Sequence, residues 1–187
     1  LSLKFADGNF WAIDEVFFSK AYRKLNCEGR VVFDIGAFGG ESAIYFVARG
    51  AKHVYALEPY PYSYNIALEI IVSNGFGDKI TLINAGIAGT TGELKVDPQF
   101  QRTSSSKLRE FSSGIRIPLV TLNDLFTEYD SKDAVVKMDC ESAERDALLL
   151  SEPSVLKRPR EYIVEYHLGR DDLVAKFEES EFKVKML

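Results

Sequence analysis

The sequence is poor in cysteine, histidine, methionine and tryptophan, with two, two, two and one of them in 187 residues. Cys27 and Cys140 show neither paired nor metal-type spacing, which excludes a disulfide framework and fits a reducing cytoplasm. No apolar run approaches the roughly 20 residues that a membrane span needs. The opening LSLKFADGNFW lacks the basic and apolar blocks of a signal peptide. The expectation is a soluble, cytoplasmic protein with no membrane partner and a trimmed or processed start, since the first residue is not Met. A basic tail is also missing: lysines and arginines are scattered and the formal net charge is −5. Nucleic-acid binders gain affinity by neutralising phosphates with clustered cations, so that partner is disfavoured. There is no internal repeat.

What is present is ordinary globular material, 46% hydrophobic and 27% charged, in a length that suits one domain with its own core. From Val31 onward, apolar strand-like runs alternate with helical patterns, the signature of a parallel sheet with crossover helices. RVVFDI is a strand, and ESAIYFVARG a helix with Ala43, Ile44, Val47 and Ala48 at helical spacing and Gly50 as its stop. HVYALE is the second strand. Pro61 opens a helix with Ile66, Ala67, Ile70 and Ile71 on one stripe and Gly75 at its end. KITLIN is the third strand. ELKV and IRIPLV are short strands flanking QRTSSSKLREFSSG, a polar stretch read as a mobile surface loop, with a substrate lid as the alternative. Thr121 and Asp124 resemble a capping box for TLNDLFTEY. AVVKM, SAERDALLL, YIVEYH, DDLVAKFEES and FKVKML continue as strand, helix, strand, helix and strand. Residues 1–30 form an aromatic-rich segment that packs on the core or closes a cleft. Residues 31–187 form the main domain, with a strand–loop–strand insertion at about 85–118.

The stretch VVFDIGAFGGES, residues 31–42, runs from a buried strand through a glycine turn into a helix, a place where nucleotide-like ligands sit. Dinucleotide turns need Gly at the strand end, and Asp34 stands there instead. Like charges about 4 Å apart repel by about 4 kcal/mol at an effective dielectric of 20, so a carboxylate there opposes a pyrophosphate and attracts an ammonium. S-adenosylmethionine carries an ammonium and a sulfonium and no phosphate. On this reading Asp34 faces the methionine amino end, and Gly36, Gly39 and Gly40 allow close packing. Glu58, 24 residues after Asp34, accepts hydrogen bonds from the ribose hydroxyls. Asn84 lies near the adenine or simply shapes a turn. Tyr60 could stack on the adenine or serve as packing at a helix start.

These motifs resemble the FkbM-type family of S-adenosylmethionine-dependent methyltransferases. VVFDIGAFGGES is similar to that family's first motif, HVYALEPYPYSYNIALEIIVSNG to its acid-Pro segment and helix, and AVVKMDCESAE to its Lys-x-Asp-x-Glu-Gly-x-Glu signature. IPLVTLNDLF and YIVEYH match its Thr-Leu-Asp entry and Glu-x-His strand end. The resemblance implies an α/β, doubly wound, mostly parallel sheet of the class I methyltransferase, Rossmann-like type, in three α/β/α layers. It implies a cofactor site of Asp34, Gly36, Ala37, Phe38, Gly39, Gly40, Glu58, Pro59, Asn84 and Ala85. It also implies methyl transfer, typically to a hydroxyl oxygen of a sugar or secondary metabolite. Three departures stand out: Phe38 where the family usually has Asn, Ser142 where it has Gly, and no antiparallel strand after FKVKML.

Methyl transfer is an in-line displacement, so the protein aligns the nucleophile and removes its proton. Lys137, Asp139 and Glu141 alternate with apolar residues and, along a strand, share one face. Lys137 is expected to pair with a carboxylate, and Asp139 to point into the crevice at the strand ends or to cap the next helix. Glu141 and Glu144 also read as solvated first-turn acids. Glu165 and His167 share a strand face, and His167 is the candidate general base, with a structural role as its alternative. His53, at the opposite edge, is read as structural. Asp139, Glu141, Glu165 and His167 form a set that could hold Mg²⁺ or a transition metal if their strands are neighbours, but no tight ligand motif demands it and no metal is assigned. Three functions compete: an O-methyltransferase on a small-molecule or glycan hydroxyl, which leads; a nucleic-acid methyltransferase, opposed by MDCES where an Asn/Asp-Pro-Pro-aromatic segment would be; and a cofactor-binding domain without turnover. The sequence carries no code for the acceptor or for a monomer against a dimer.

Overall fold

A computed structural model describes residues 3–5, 10–19, 21–97, 113–129 and 132–186. The chain enters through a helix, α1 (Phe10–Ile13), that widens into a π-helical turn over Asp14–Phe18. Five strands then make a fully parallel sheet: β1 (Val31–Ile35), β2 (His53–Leu57), β3 (Ile80–Ile83), β7 (Val135–Met138) and β8 (Glu161–Val164), in the order β3-β2-β1-β7-β8. The order reverses at β1, so the crevice at the carboxyl ends of β1 and β7 is a topological switch point, where open α/β sheets bind ligands. A smaller sheet, β4-β6-β5, is built from β4 (Gly86–Ile87), β5 (Gly92–Val96) and β6 (Ile115–Val120).

Both faces of the main sheet are covered, which is why its strands are mostly apolar, with Asp34 of β1 and Lys137 of β7 as buried charged exceptions. Successive residues of each strand point to opposite faces. Val32, Val54, Ile80 and Val135 pack on one side with Ile44 and Phe46 of α2 (Glu41–Ala48) and with Ile70 and Ile71 of α3 (Pro61–Ser73). Phe33, Ile35, Val136 and Met138 pack on the other. Their partners come from α4 (Leu122–Glu128), α5 (Ala143–Leu149), α6 (Pro153–Leu156) and α7 (Arg170–Glu179). The result is the α/β/α sandwich.

Local chemistry places the helix ends. Pro61 sits at the first position of α3, Gly50 and Gly75 follow α2 and α3 in the left-handed conformation, and Thr121 with Asp124 forms a reciprocal capping box on α4. Two readings need correction. FKVKML does not continue as a strand over 182–186: among the described residues this stretch pairs with no strand, and Phe182 instead turns into Tyr162 and Phe177, with ring centroids 5.4 and 5.6 Å away. YIVEYH leaves the sheet at Val164, so Glu165 and His167 do not share a strand face. Residues 101–112 of the Ser-rich loop lie outside the described residues. No helix among the described residues is long and apolar enough to cross a membrane.

Candidate functional site

The glycine turn follows β1 directly. Gly36 has φ +87, and a Cβ there would lie 1.9 Å from the carbonyl oxygen of Asp139, so only glycine lets the turn touch the end of β7. Gly40, also at φ +87, brings the start of α2 against Ala67 of α3. Phe38 occupies the left-handed region at φ 50, and its ring lies 5.2 Å from that of Trp11. The N-terminal helix therefore reaches over the turn.

Asp34 and Lys137 face each other across the β1–β7 register and are both buried. Lys137 Nζ lies 3.2 Å from Asp34 Oδ1 and donates to the Gly36 carbonyl at 2.8 Å, while Ser42 Oγ donates to Asp34 Oδ2 at 2.6 Å. Burial opposes the lysine's charge, but Asp34 and the neighbouring acids outweigh it and raise its pKa. This corrects the sequence reading in two ways. The Asp34 carboxylate is committed to Ser42 and Lys137 rather than turned to an incoming ammonium, and its charge is already balanced, so it does not itself repel a pyrophosphate. Lys137 is a positioning residue that ties the glycine turn to β7.

Glu58, at the end of β2, is fully buried. Its Oε2 accepts from the Phe38 N–H at 3.0 Å and its Oε1 from the Tyr60 N–H at 2.9 Å. The Asn84 amide donates to the Glu58 and Pro59 carbonyls at 2.8 and 3.1 Å, joining the end of β3 to the same corner. A cleft opens here, lined by Ile35, Gly36, Pro59, Tyr60, Ala85 and Cys140, among others. Tyr60 is part of its wall, packed on Val96 and Ile117 of the small sheet. Sequence reasoning did not foresee that this second sheet walls the cleft, because β4 is only two residues long.

Beyond Gly36 lies an acidic edge. Asp139, Glu141 and His167 each turn a ligand-type atom inward, all within 4.8 Å of one another. They are not on one strand face, since β7 ends at Met138 and Glu141 takes a left-handed φ of 56. His167 Nδ1 lies 3.1 Å from Glu144 Oε1 and its Nε2 lies 3.5 Å from Glu141 Oε2. Glu144 is not solvated: it is fully buried and also accepts from the backbone N–H groups of Ser142 and His167. Glu141 is largely buried too. Burial lowers the His167 pKa, but the Glu144 hydrogen bond and neighbouring carboxylates reverse it and the net shift is upward. Tyr22 donates its hydroxyl to Asp139 Oδ2 at 3.3 Å, and its ring lies 5.3 Å from Lys137 Nζ. Glu15 and Glu165 complete the rim; burial, then repulsion from Asp139, raises both of their pKa values. The roles of Glu15, Tyr22 and Glu144 were missed. The Ser-x-Glu spacing around the start of α5 gives no hint that Glu144 turns toward β8. His53 is remote, its Nε2 2.8 Å from Thr81 Oγ1 at the opposite edge.

Comparison with known proteins gives this arrangement a context. Residues 34–182 match the profile of the family described as "Methyltransferase FkbM domain". The crystal structure of methyltransferase FkbM from Methylobacillus flagellatus KT superposes with a TM-score of 0.53 at 18% identity, covering 80% of this chain and 36% of that one. Precorrin-6y C5,15-methyltransferase from Geobacter metallireducens GS-15 also gives 0.53, at 13% identity over 98% of this chain and 78% of that one. Over 57 residues, 30% of this chain but 8% of the relative, the sequence is 40% identical to protein arginine N-methyltransferase 7 of Gallus gallus. The chain thus spans a small part of that curated relative and about a third of the FkbM structure. The profile match runs from Asp34 in β1 past the acidic edge to Phe182, and the chain belongs to the FkbM methyltransferase domain family.

Proposed function

We propose that the protein is an S-adenosylmethionine-dependent methyltransferase that methylates a hydroxyl oxygen of a small molecule or glycan. The observation that carries this reading is the direct contact of Gly36 with the Asp139 carbonyl: the cofactor turn and the acidic edge abut at the switch point between β1 and β7. A cofactor on the turn would lie between the Pro59–Tyr60 and Asn84–Ala85 corners, with Glu58 beneath. Ala37, Phe38, Gly39 and Gly40 would line its path. Its sulfonium would lie toward Asp139. Charge supports a cationic cofactor over a phosphorylated one: Asp34 is neutralised by Lys137, but Glu15, Asp139, Glu141 and Glu165 leave the edge negative. The same edge opposes a nucleic-acid backbone.

On the acceptor side, Asp139, Glu141 and His167 are the proposed catalytic residues. His167 does not stand as the lone strand-end base expected from sequence, because Glu144 fixes its Nδ1 and directs its Nε2 into the cluster. Methylation of a panel of sugars and secondary-metabolite alcohols, followed by S-adenosylhomocysteine release, tests the reading. Turnover on at least one hydroxyl, lost in Asp139→Asn with cofactor binding intact, is expected. Methylation of amines alone would overturn the hydroxyl assignment.

A further inference from the structure

We propose that Asp139, Glu141 and His167 form a binding site for a single divalent cation of the Mn²⁺ or Zn²⁺ type, with His167 Nε2 as its nitrogen ligand.

The donor atoms are already gathered. One oxygen from each carboxylate and one imidazole nitrogen lie within 4.8 Å of one another, and the Nε2 to Glu141 Oε2 separation is 3.5 Å. Ligands about 2.1 Å from a common ion stand about 3 Å apart when adjacent and about 4.2 Å apart when opposite, so the three donors must draw together to enclose an ion, the His167–Glu141 pair least. A mixed carboxylate and imidazole set favours a transition metal over Ca²⁺, which prefers oxygen alone.

The surroundings supply an independent reason. Metal-bound histidines almost always give their second ring N–H to a carboxylate or carbonyl, which fixes the tautomer and the ring plane. Here the Glu144 carboxylate, fully buried and held by two further backbone N–H groups, lies 3.1 Å from Nδ1. With Nδ1 turned to Glu144, Nε2 faces a Glu141 oxygen, a position that either a proton on Nε2 or a bound cation can fill. Asp139 has a similar support in the Tyr22 hydroxyl at 3.3 Å. Glu15 and Glu165 raise the negative potential around the cluster without belonging to it. The inference rests on the methyltransferase reading in one respect only: there, the ion would lie on the acceptor side and polarise the hydroxyl oxygen.

The test is titration of chelator-treated, re-dialysed protein with Mn²⁺ in the absence of cofactor, following the six-line EPR signal of the unbound ion. One Mn²⁺ per chain is expected. Asp139→Asn and His167→Gln should each weaken binding at least tenfold, and Glu144→Gln by about tenfold through the ring it orients. Circular dichroism identifies any variant that fails to fold; Glu141→Gln then serves in its place, with the same tenfold loss expected. No saturable Mn²⁺ or Zn²⁺ site in the folded wild type, or undiminished binding in folded Asp139→Asn and His167→Gln, overturns the proposal. S-adenosylhomocysteine binding, measured separately, keeps the two readings apart. Saturable S-adenosylhomocysteine binding by a protein that shows no cation site defeats this inference alone, whereas a cation site in a protein that fails to bind S-adenosylhomocysteine in its own titration defeats the methyltransferase reading alone.

Discussion

Two buried side chains hold the turn in place. Asp34 and Lys137 were both visible in the sequence as charges inside apolar strands, and the expectation that Lys137 pairs with a carboxylate is met by Asp34 across the register. The direction of the pair was not legible, because nothing in a one-dimensional pattern says which of several nearby acids a lysine reaches. Truncating one partner of a buried pair leaves an uncompensated charge, so Lys137→Met should lower stability by about 3–5 kcal/mol in urea denaturation. Asp34→Asn combined with Lys137→Met should recover most of that loss, since the stranded carboxylate is gone. Gly36→Ala tests the contact with Asp139 from the other side. A Cβ placed 1.9 Å from a backbone oxygen, at φ +87, forces the turn away from β7. A lowered melting temperature and the loss of S-adenosylhomocysteine binding are expected; retained binding at wild-type affinity would contradict the close approach.

The elements themselves were largely legible. Periodicity located the five strands of the main sheet, and punctuation by Pro61, Gly50, Gly75 and the Thr121 capping box located three helices. Thr121→Ala removes one side of that box and should cost about 1 kcal/mol, a fall of about 2–4 °C in melting temperature for a chain of this size, with cofactor binding unchanged. What was not legible has physical causes. β4 and α6 are too short to show a period. FKVKML alternates like a strand but has no partner edge among the described residues, so side-chain packing of Phe182 decides its path. Glu165 and His167 leave the sheet one turn of pattern early, and that break is what lets His167 fold back onto Glu144. The N-terminal helix offers a probe of the site: Trp11, the one tryptophan of the chain, lies against Phe38 on the glycine turn. Saturation with S-adenosylhomocysteine should shift its fluorescence emission, while an unchanged spectrum under saturating ligand would place the ligand elsewhere.

At the scale of the whole molecule, two hydrophobic layers fix a parallel sheet whose strand order reverses at β1, and the reversal opens the crevice that the glycine turn and the acidic edge share. The architecture and the family were readable from ordered motifs, since each lies at a strand end. The acidic edge was readable only in part: Asp139, Glu141 and His167 were singled out, but Glu15 and Tyr22 reach it from a segment more than 110 residues away along the chain. A ligand that binds the folded state alone stabilises it by mass action, by about 2.7 kcal/mol at a hundredfold excess over its Kd. The central claim, a cofactor seat on the glycine turn, is tested most directly by isothermal titration of the folded protein with S-adenosylhomocysteine. The account predicts saturable 1:1 heat that Glu58→Ala sharply weakens; no heat from well-folded wild-type protein, or full-strength binding in folded Glu58→Ala, would contradict it.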